Sequence, residues 1–213
     1  MPTQRFLNLK EEKKKVILEA AVHEFSRVPY SSASINQIIK EADISRGSFY
    51  TYFEDKDDLM RYLLRGAGDR CQQWAFRIME EEKGNVFAVP IRILSKLMDR
   101  DTEGLGYKMY QNMLSDLNLV NQHQLFGVRG FLFRDDTFRD FIDKVYLNLD
   151  KSRFPMEKET LSYVVEMSMM LSIKAITLFY KRAASKEDIL TVAGNEMHIL
   201  EKGACSSFKP VEV

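Results

Sequence analysis

The chain has 213 residues, of which 45% are aliphatic, aromatic or sulfur-bearing and 29% charged, with only 10 Gly and 5 Pro. That composition excludes a disordered or low-complexity chain and suits one large domain or a small domain joined to a larger one. Lysine plus arginine and aspartate plus glutamate each total 31, for a net charge of +0, so a nucleic-acid partner has no support from overall charge and must be argued from local arrangement.

Helical periodicity dominates the whole chain. After KEEKKK, the residues Val16, Ile17, Ala20, Ala21 and Phe25 trace one apolar stripe, which predicts a first helix ending by Pro29. Ser34 opens SINQIIKEA, where serine followed three residues later by Gln37 has the pattern of a capping box and Ile35, Ile38 and Ile39 supply the buried side. Ser45 is the predicted cap of a third short helix over roughly 45–52. Asp55 is the predicted cap of a fourth, with Asp57 and Asp58 in its first turn, where the helix dipole favours negative charge. The fourth helix is expected to reach about Lys83, although Gly66 and Gly68 weaken its middle.

Several further helices follow, and a long one begins near Glu157. Leu161, Val164, Val165, Ser168, Leu171, Ala175, Ile176 and Phe179 form one stripe on it, while Tyr163, Met167, Met170 and Leu178 form another. A helix apolar on more than one side needs cover on more than one side. Ser185 starts the last helix, whose stripe is Ile189, Val192, Ala193, Met197 and Leu200.

Two short helices joined by a tight turn and braced by a first helix are the parts of a helix-turn-helix. The second of the pair must bring its N-terminal end to the major groove, where bulky side chains are unwelcome. Gly47 leaves such a gap, and Arg46 and Ser48 beside it offer donors to base edges or phosphates. Phe49 and Phe53, four apart, are predicted to anchor the helix to its core, which leaves Tyr50 and Tyr52 for phosphates or thymine methyls and Lys56 for a phosphate. The residues expected to meet DNA are Ser34, Asn36, Ser45, Arg46, Gly47, Ser48, Tyr50, Thr51, Tyr52 and Lys56. The run Lys13 to Lys15 fits a solvated helix face as well as it fits phosphate contact.

The segment SINQIIKEADISRGSFYTYFEDKDDLMRYLL resembles the DNA-binding domain of the TetR (tetracycline repressor) family of transcriptional regulators. Ser34, Ala42, Ile44, Ser45, Gly47, Ser48, Phe49, Tyr50, Tyr52, Phe53, Lys56 and Leu59 match that pattern in order and spacing: a serine-led second helix, an Ala-Gly-Val-type turn, a Ser-x-Gly-Ser-hydrophobic-Tyr-x-Tyr-Phe run and a Lys-x-x-Leu helix start. The likeness covers roughly residues 10–65. Asp43 departs from it where the turn usually has glycine, as does Pro29-Tyr30 where glycine often precedes the second helix. Aspartate tolerates left-handed backbone better than most residues, so the turn is expected to survive at some cost in stability.

The resemblance implies an all-α fold with an N-terminal three-helix helix-turn-helix DNA-binding domain over residues 1–65, its helix-turn-helix at about 33–52, and a larger helical ligand-binding and dimerisation domain over residues 66–213. It also implies a ligand-responsive repressor that binds a palindromic operator as a homodimer through its last two helices, and a small, largely apolar effector. Candidate pocket residues are Trp74, Tyr107, Tyr110, Met113, Phe126, Met167 and Met170, with Glu166 able to face a cationic group; ordinary core packing, or solvent for Glu166, is the alternative for each. A reading from another class is a small-molecule sensor or carrier whose short helices bind a protein partner.

Cys71 and Cys205 stand far apart, and His23, His123 and His198 are isolated, so no disulfide framework, metal or cofactor is expected and a reducing, cytoplasmic setting fits. The opening MPTQRFLNLKEEKKK lacks the apolar stretch of a secretion signal, and no uninterrupted run of bilayer-spanning length is read further on, so no membrane partner is expected. The chain has neither a Gly-rich phosphate loop nor a nucleophile elbow, which argues against an enzyme.

Overall fold

The structure, a computed structural model, describes residues 2–99, 104–116 and 136–206. The described residues form α1 (Gln4–Leu7), α2 (Glu11–Arg27), a 3₁₀ turn (Tyr30–Ser32), α3 (Ile35–Glu41), α4 (Arg46–Tyr52), α5 (Lys56–Glu81), α6 (Ala88–Met98), α7 (Leu105–Asp116), α8 (Asp136–Asn148), α9 (Lys158–Tyr180) and α10 (Lys186–Cys205), with no strand among them. They divide into two compact units, one of the residues up to Asp69 with 104–116, the other of the residues from Arg70 to Asp99 with 136–206.

In the first unit α2 buries Ile17, Ala20, Ala21 and Phe25 as the stripe predicts, but Val16 is 44% exposed. One residue is a step of about 100° around a helix, so Val16 falls off the edge of a stripe centred on Ile17 and Ala21. The capping box does not form either. Ser34 is the N-cap of α3, yet its side chain makes no cap hydrogen bond. The buried Glu24 carboxylate of α2 instead accepts the Ser34 N–H at 2.9 Å and is itself held by Arg27, whose Nε and Nη2 donate to Glu24 Oε2 at 3.0 and 2.6 Å. The acceptor that Gln37 was expected to supply thus comes from a different helix.

The turn after α3 is a Schellman motif. Ile44 N–H reaches the Ile39 carbonyl at 3.0 Å, Asp43 N–H reaches that of Lys40 at 3.4 Å, and Asp43 itself is left-handed with φ 48°. Asp55 caps α5 as expected, its Oδ1 accepting Asp58 N–H at 2.6 Å. α5 then runs without a break through Gly66 and Gly68, its residues up to Asp69 in the first unit and from Arg70 in the second.

α7 packs along α2 and ties off that helix's C-terminal end. Asn112 Nδ2 donates to the carbonyls of Phe25 at 3.1 Å and Ser26 at 2.9 Å, two of the four that an α-helix leaves unpaired at its end. Asp116 accepts the Ser31 N–H, and this contact with Ser31 holds the Asp116 carboxyl below its ordinary range.

The second unit packs α6, α8 and α10 against α9. Its main core gathers Ile78 and Met79 of α5, Phe138, Ile142 and Val145 of α8, Phe87, Phe154, and Leu161, Val164 and Val165 of α9. A smaller cluster joins Leu94 and Met98 of α6 to Ala175, Ile189 and Ala193. Gly84 is demanded by this packing: its φ is +77°, and a Cβ there would lie 2.4 Å from the Asp150 backbone nitrogen. α9 is long and apolar enough to cross a membrane by length and composition alone. Scattered charges at Glu159, Glu166 and Lys174 break the run when it is read residue by residue. In this structure α9 packs against α6, α8 and α10, and about a third of that apolar run is buried.

Candidate nucleic-acid interface

α4 is fixed from beneath and at both ends. Phe49 and Phe53 are fully buried, as their spacing predicts. The Phe6 ring of α1 lies 4.6 Å from that of Phe53 and 5.3 Å from that of Tyr62. At the start of α4 the Ser45 hydroxyl accepts the Ser48 N–H at 3.0 Å, the side-chain cap that its position predicts. At the other end Thr3 donates its N–H to the Tyr52 carbonyl at 2.9 Å and its hydroxyl to the Thr51 carbonyl at 2.6 Å. The last carbonyls of α4 are therefore satisfied by the N-terminal segment. Neither Thr3 nor Phe6 stands out in the sequence; the readable trace is Thr3 three residues ahead of a lone aromatic, an N-cap spacing that α1 uses.

The opposite face of α4 is open. Ser45, Arg46, Gly47 and Tyr50 are exposed, and Asn36 of α3 is exposed beside them. Arg46 Nη1 donates to Asn36 Oδ1 at 2.7 Å and Nη2 to the Tyr50 hydroxyl oxygen at 3.2 Å, with the guanidinium carbon 5.4 Å from the Tyr50 ring centre. The Ser45 and Ser48 hydroxyls are 2.9 Å apart. A Cβ at Gly47 would meet no neighbour closer than Ser45 Oγ at 3.8 Å.

The other residues read from the sequence have more structural settings. Ser34 is half-buried at the head of α3. Thr51 turns its hydroxyl back onto the Gly47 carbonyl at 2.9 Å, and the half-buried Tyr52 ring lies 6.0 Å from that of Phe6. Lys56, expected to aim at a phosphate, spends its ammonium inside the unit. Its Nζ donates to the carbonyls of Tyr30 at 2.8 Å and of Ser31 and Ala33 at 3.3 Å, and stands 4.7 Å from the Tyr30 ring centre. An ammonium has three N–H donors, so these carbonyls account for all of them.

The candidate pocket residues are spread over both units. Tyr107, Tyr110 and Met113 belong to α7 in the first, where Tyr107 and Met113 are buried. Trp74, Glu166, Met167 and Met170 belong to the second. There Trp74 packs against the main core, Glu166 is half-buried, and Met167 and Met170 are 52% and 53% exposed. Phe126 lies outside the described residues, as does His123. A groove of about 630 Å³ runs beside α2 in the first unit, lined by Leu18, Val22, His23, Glu41, Tyr62 and Leu105 among others, and includes none of the candidate pocket residues.

Residues 17–63, which span α2 through the first turns of α5, match the family described as bacterial regulatory proteins, tetR family. The match makes this N-terminal region tetR-like. Over 54 residues the chain is 43% identical to YuxN of Bacillus subtilis (strain 168), described as an uncharacterized HTH-type transcriptional regulator; the alignment covers 25% of this chain and 19% of that protein. A longer alignment, 23% identical over 187 residues, covers 77% of the chain and 98% of YhgD from the same organism, described in the same words. The crystal structure of a protein from Mesorhizobium loti MAFF303099, assigned to the TetR family, is similar to the chain with TM-score 0.54 and 14% identity, over 93% of this chain and 97% of that one. At that identity the likeness concerns the fold alone. Among the described residues the fold is all-helical as read from the sequence, with a tetR-like helix-turn-helix region at its N-terminal end and a larger helical region after it.

Proposed function

We propose that the chain is a cytoplasmic, ligand-responsive transcriptional repressor that grips a palindromic operator as a homodimer, with α4 lying in the major groove. Gly47 carries this reading. The fold has no use of its own for a glycine there: residue 47 is helical, and a side chain would find open space. Gly68, Gly106, Gly194 and Gly203 also have open space, so the weight falls on where Gly47 stands. A gap that packing does not need, set among exposed Ser45, Arg46 and Tyr50, is what close approach of a helix backbone to duplex DNA requires. The named relatives, all described as HTH-type transcriptional regulators, support the same reading.

Homodimerisation through the last two helices is supported by their uncovered apolar side chains. Met167, Met170 and Leu178 on α9 and Val192 and Ile199 on α10 are between 37% and 70% exposed. Lys174, on the same stripe of α9 as those residues, pairs with Glu196 of α10. A second copy laid on this helix pair would cover them. Two recognition helices would then enter successive major grooves roughly 34–36 Å apart. An effector bound in the second unit would alter that spacing through α5, the helix that continues from Lys56 to Glu81.

Anisotropy or gel shift on the DNA upstream of its own gene tests the proposal. Arg46→Ala and Ser48→Ala are expected to weaken binding by about 1–3 kcal/mol each if they lose base contacts. Parent-like binding by both variants rejects α4 as the reading helix.

A further inference from the structure

We infer that Arg46 reads a guanine in each operator half-site and that Asn36 and Tyr50 are positioning residues that hold its guanidinium for that contact; this rests on the DNA-binding reading above. An arginine on a helix surface samples many rotamers, and ordering it on binding costs entropy. Here the side chain is held from two sides. Asn36 Oδ1 accepts from Nη1 at 2.7 Å, and Tyr50, one turn further along α4, accepts from Nη2 at 3.2 Å with its ring 5.4 Å from the guanidinium carbon. Two of the five guanidinium N–H groups are engaged in this way. The three that remain are enough for the paired donation to guanine O6 and N7.

The hydrogen-bond polarity of the cluster selects the base. Asn36 directs its amide oxygen at Arg46, whereas an asparagine that reads adenine uses its amide as donor and acceptor together. The Tyr50 oxygen also accepts from Arg46, and its phenol proton remains to give. Arg46 itself has only donors to present. Guanine, with two acceptors side by side on its major-groove edge, complements such a side chain, whereas the amino groups of adenine and cytosine oppose it. Gly47, next to Arg46, adds no side chain to hold the helix away from the base.

The test is selection of binding sites from random-sequence duplexes by the full chain, followed by anisotropy at fixed salt on the selected duplex and its single-base variants. The parent is expected to prefer guanine at one position of each half-site on the order of ten- to a hundredfold. Arg46→Ala should flatten that position and leave preferences elsewhere intact. Arg46→Lys, which keeps the charge but not the planar fork, should retain most of the overall affinity while losing the same preference. Asn36→Ala should lower the guanine preference roughly threefold or more, and add nothing further in the Arg46→Ala background. Melting curves identify any variant that fails to fold, in which case Arg46→Lys carries the test. A loss from Arg46→Ala spread evenly over all sequences, or an Arg46-dependent position occupied by another base, overturns the inference while DNA binding stands. An unchanged guanine preference in Asn36→Ala overturns the positioning role. A parent that binds no duplex overturns the DNA-binding reading and this inference with it.

Discussion

Glu24 of α2 closes the first turn of α3: its carboxylate, 3% exposed, accepts the Ser34 N–H at 2.9 Å while Arg27 grips the other oxygen. One buried acceptor thus joins the bracing helix to the helix-turn-helix. Glu24→Ala leaves the Ser34 N–H without this partner and removes the anion from Arg27, and is expected to destabilise the protein by about 2–4 kcal/mol. Glu24→Gln keeps an acceptor for Ser34 and should cost about half as much. Urea denaturation checks both, and a Glu24→Ala loss below about 0.5 kcal/mol would show the contact to be unimportant.

Asp43 occupies the left-handed position of the Schellman turn with φ 48°. Glycine adopts that backbone without the Cβ penalty and removes a negative charge from the C-terminal end of α3. Asp43→Gly is therefore expected to raise stability by about 0.5–1 kcal/mol. A higher melting temperature with unchanged operator affinity is the outcome to look for.

Gly47 separates folding from recognition. Because a side chain there has open space, Gly47→Gln should leave stability unchanged or raise it by up to about 1 kcal/mol, since glutamine is the better helix former. Operator affinity should fall by about 1–3 kcal/mol as the backbone is held off the bases. Parallel thermal and anisotropy measurements decide the matter, and undiminished binding would remove the main support for α4 as the reading helix.

Tyr30 supplies a pH signature. Burial, with the Asp57 carboxylate accepting the phenol hydrogen bond, pushes the Tyr30 phenol well above its ordinary 10.0. A folded-state value raised above the unfolded one contributes stability that is fully present below about pH 10 and lost as pH rises toward the folded value. Tyr30→Phe should therefore be less stable than the parent near pH 7, by about 1 kcal/mol for the lost hydrogen bond. The difference should shrink as pH rises above 10. Melting temperatures of both proteins across pH 7 to about 11 test this, and parallel alkaline slopes would contradict it.

The exposed face of α4 was legible because its signals are local. A cap must precede the helix it caps, phenylalanines four apart share one face, and a glycine gap is a property of one position. Ser45, Phe49, Phe53 and Gly47 each sit as their spacing predicts. The setting of Lys56 was not legible, because position alone does not say whether a long side chain faces solvent or folds back, and here three carbonyls of the preceding loop take its ammonium.

By itself the sequence determined the helical class, the helix-turn-helix with its cap and its turn, and the tetR resemblance, since short-range periodicity and hydrogen bonds between near neighbours govern all of these. The tertiary structure alone decided that Glu24 rather than Gln37 closes α3, that Thr3 and Phe6 seat α4, that α7 joins the N-terminal helices, and that Asn36 and Tyr50 flank Arg46. Most of these join helices that are separate in the chain, and even the Arg46–Tyr50 pair depends on which rotamers meet. A hydrogen bond or a buried ring needs a partner in space, and spacing along the chain does not name it.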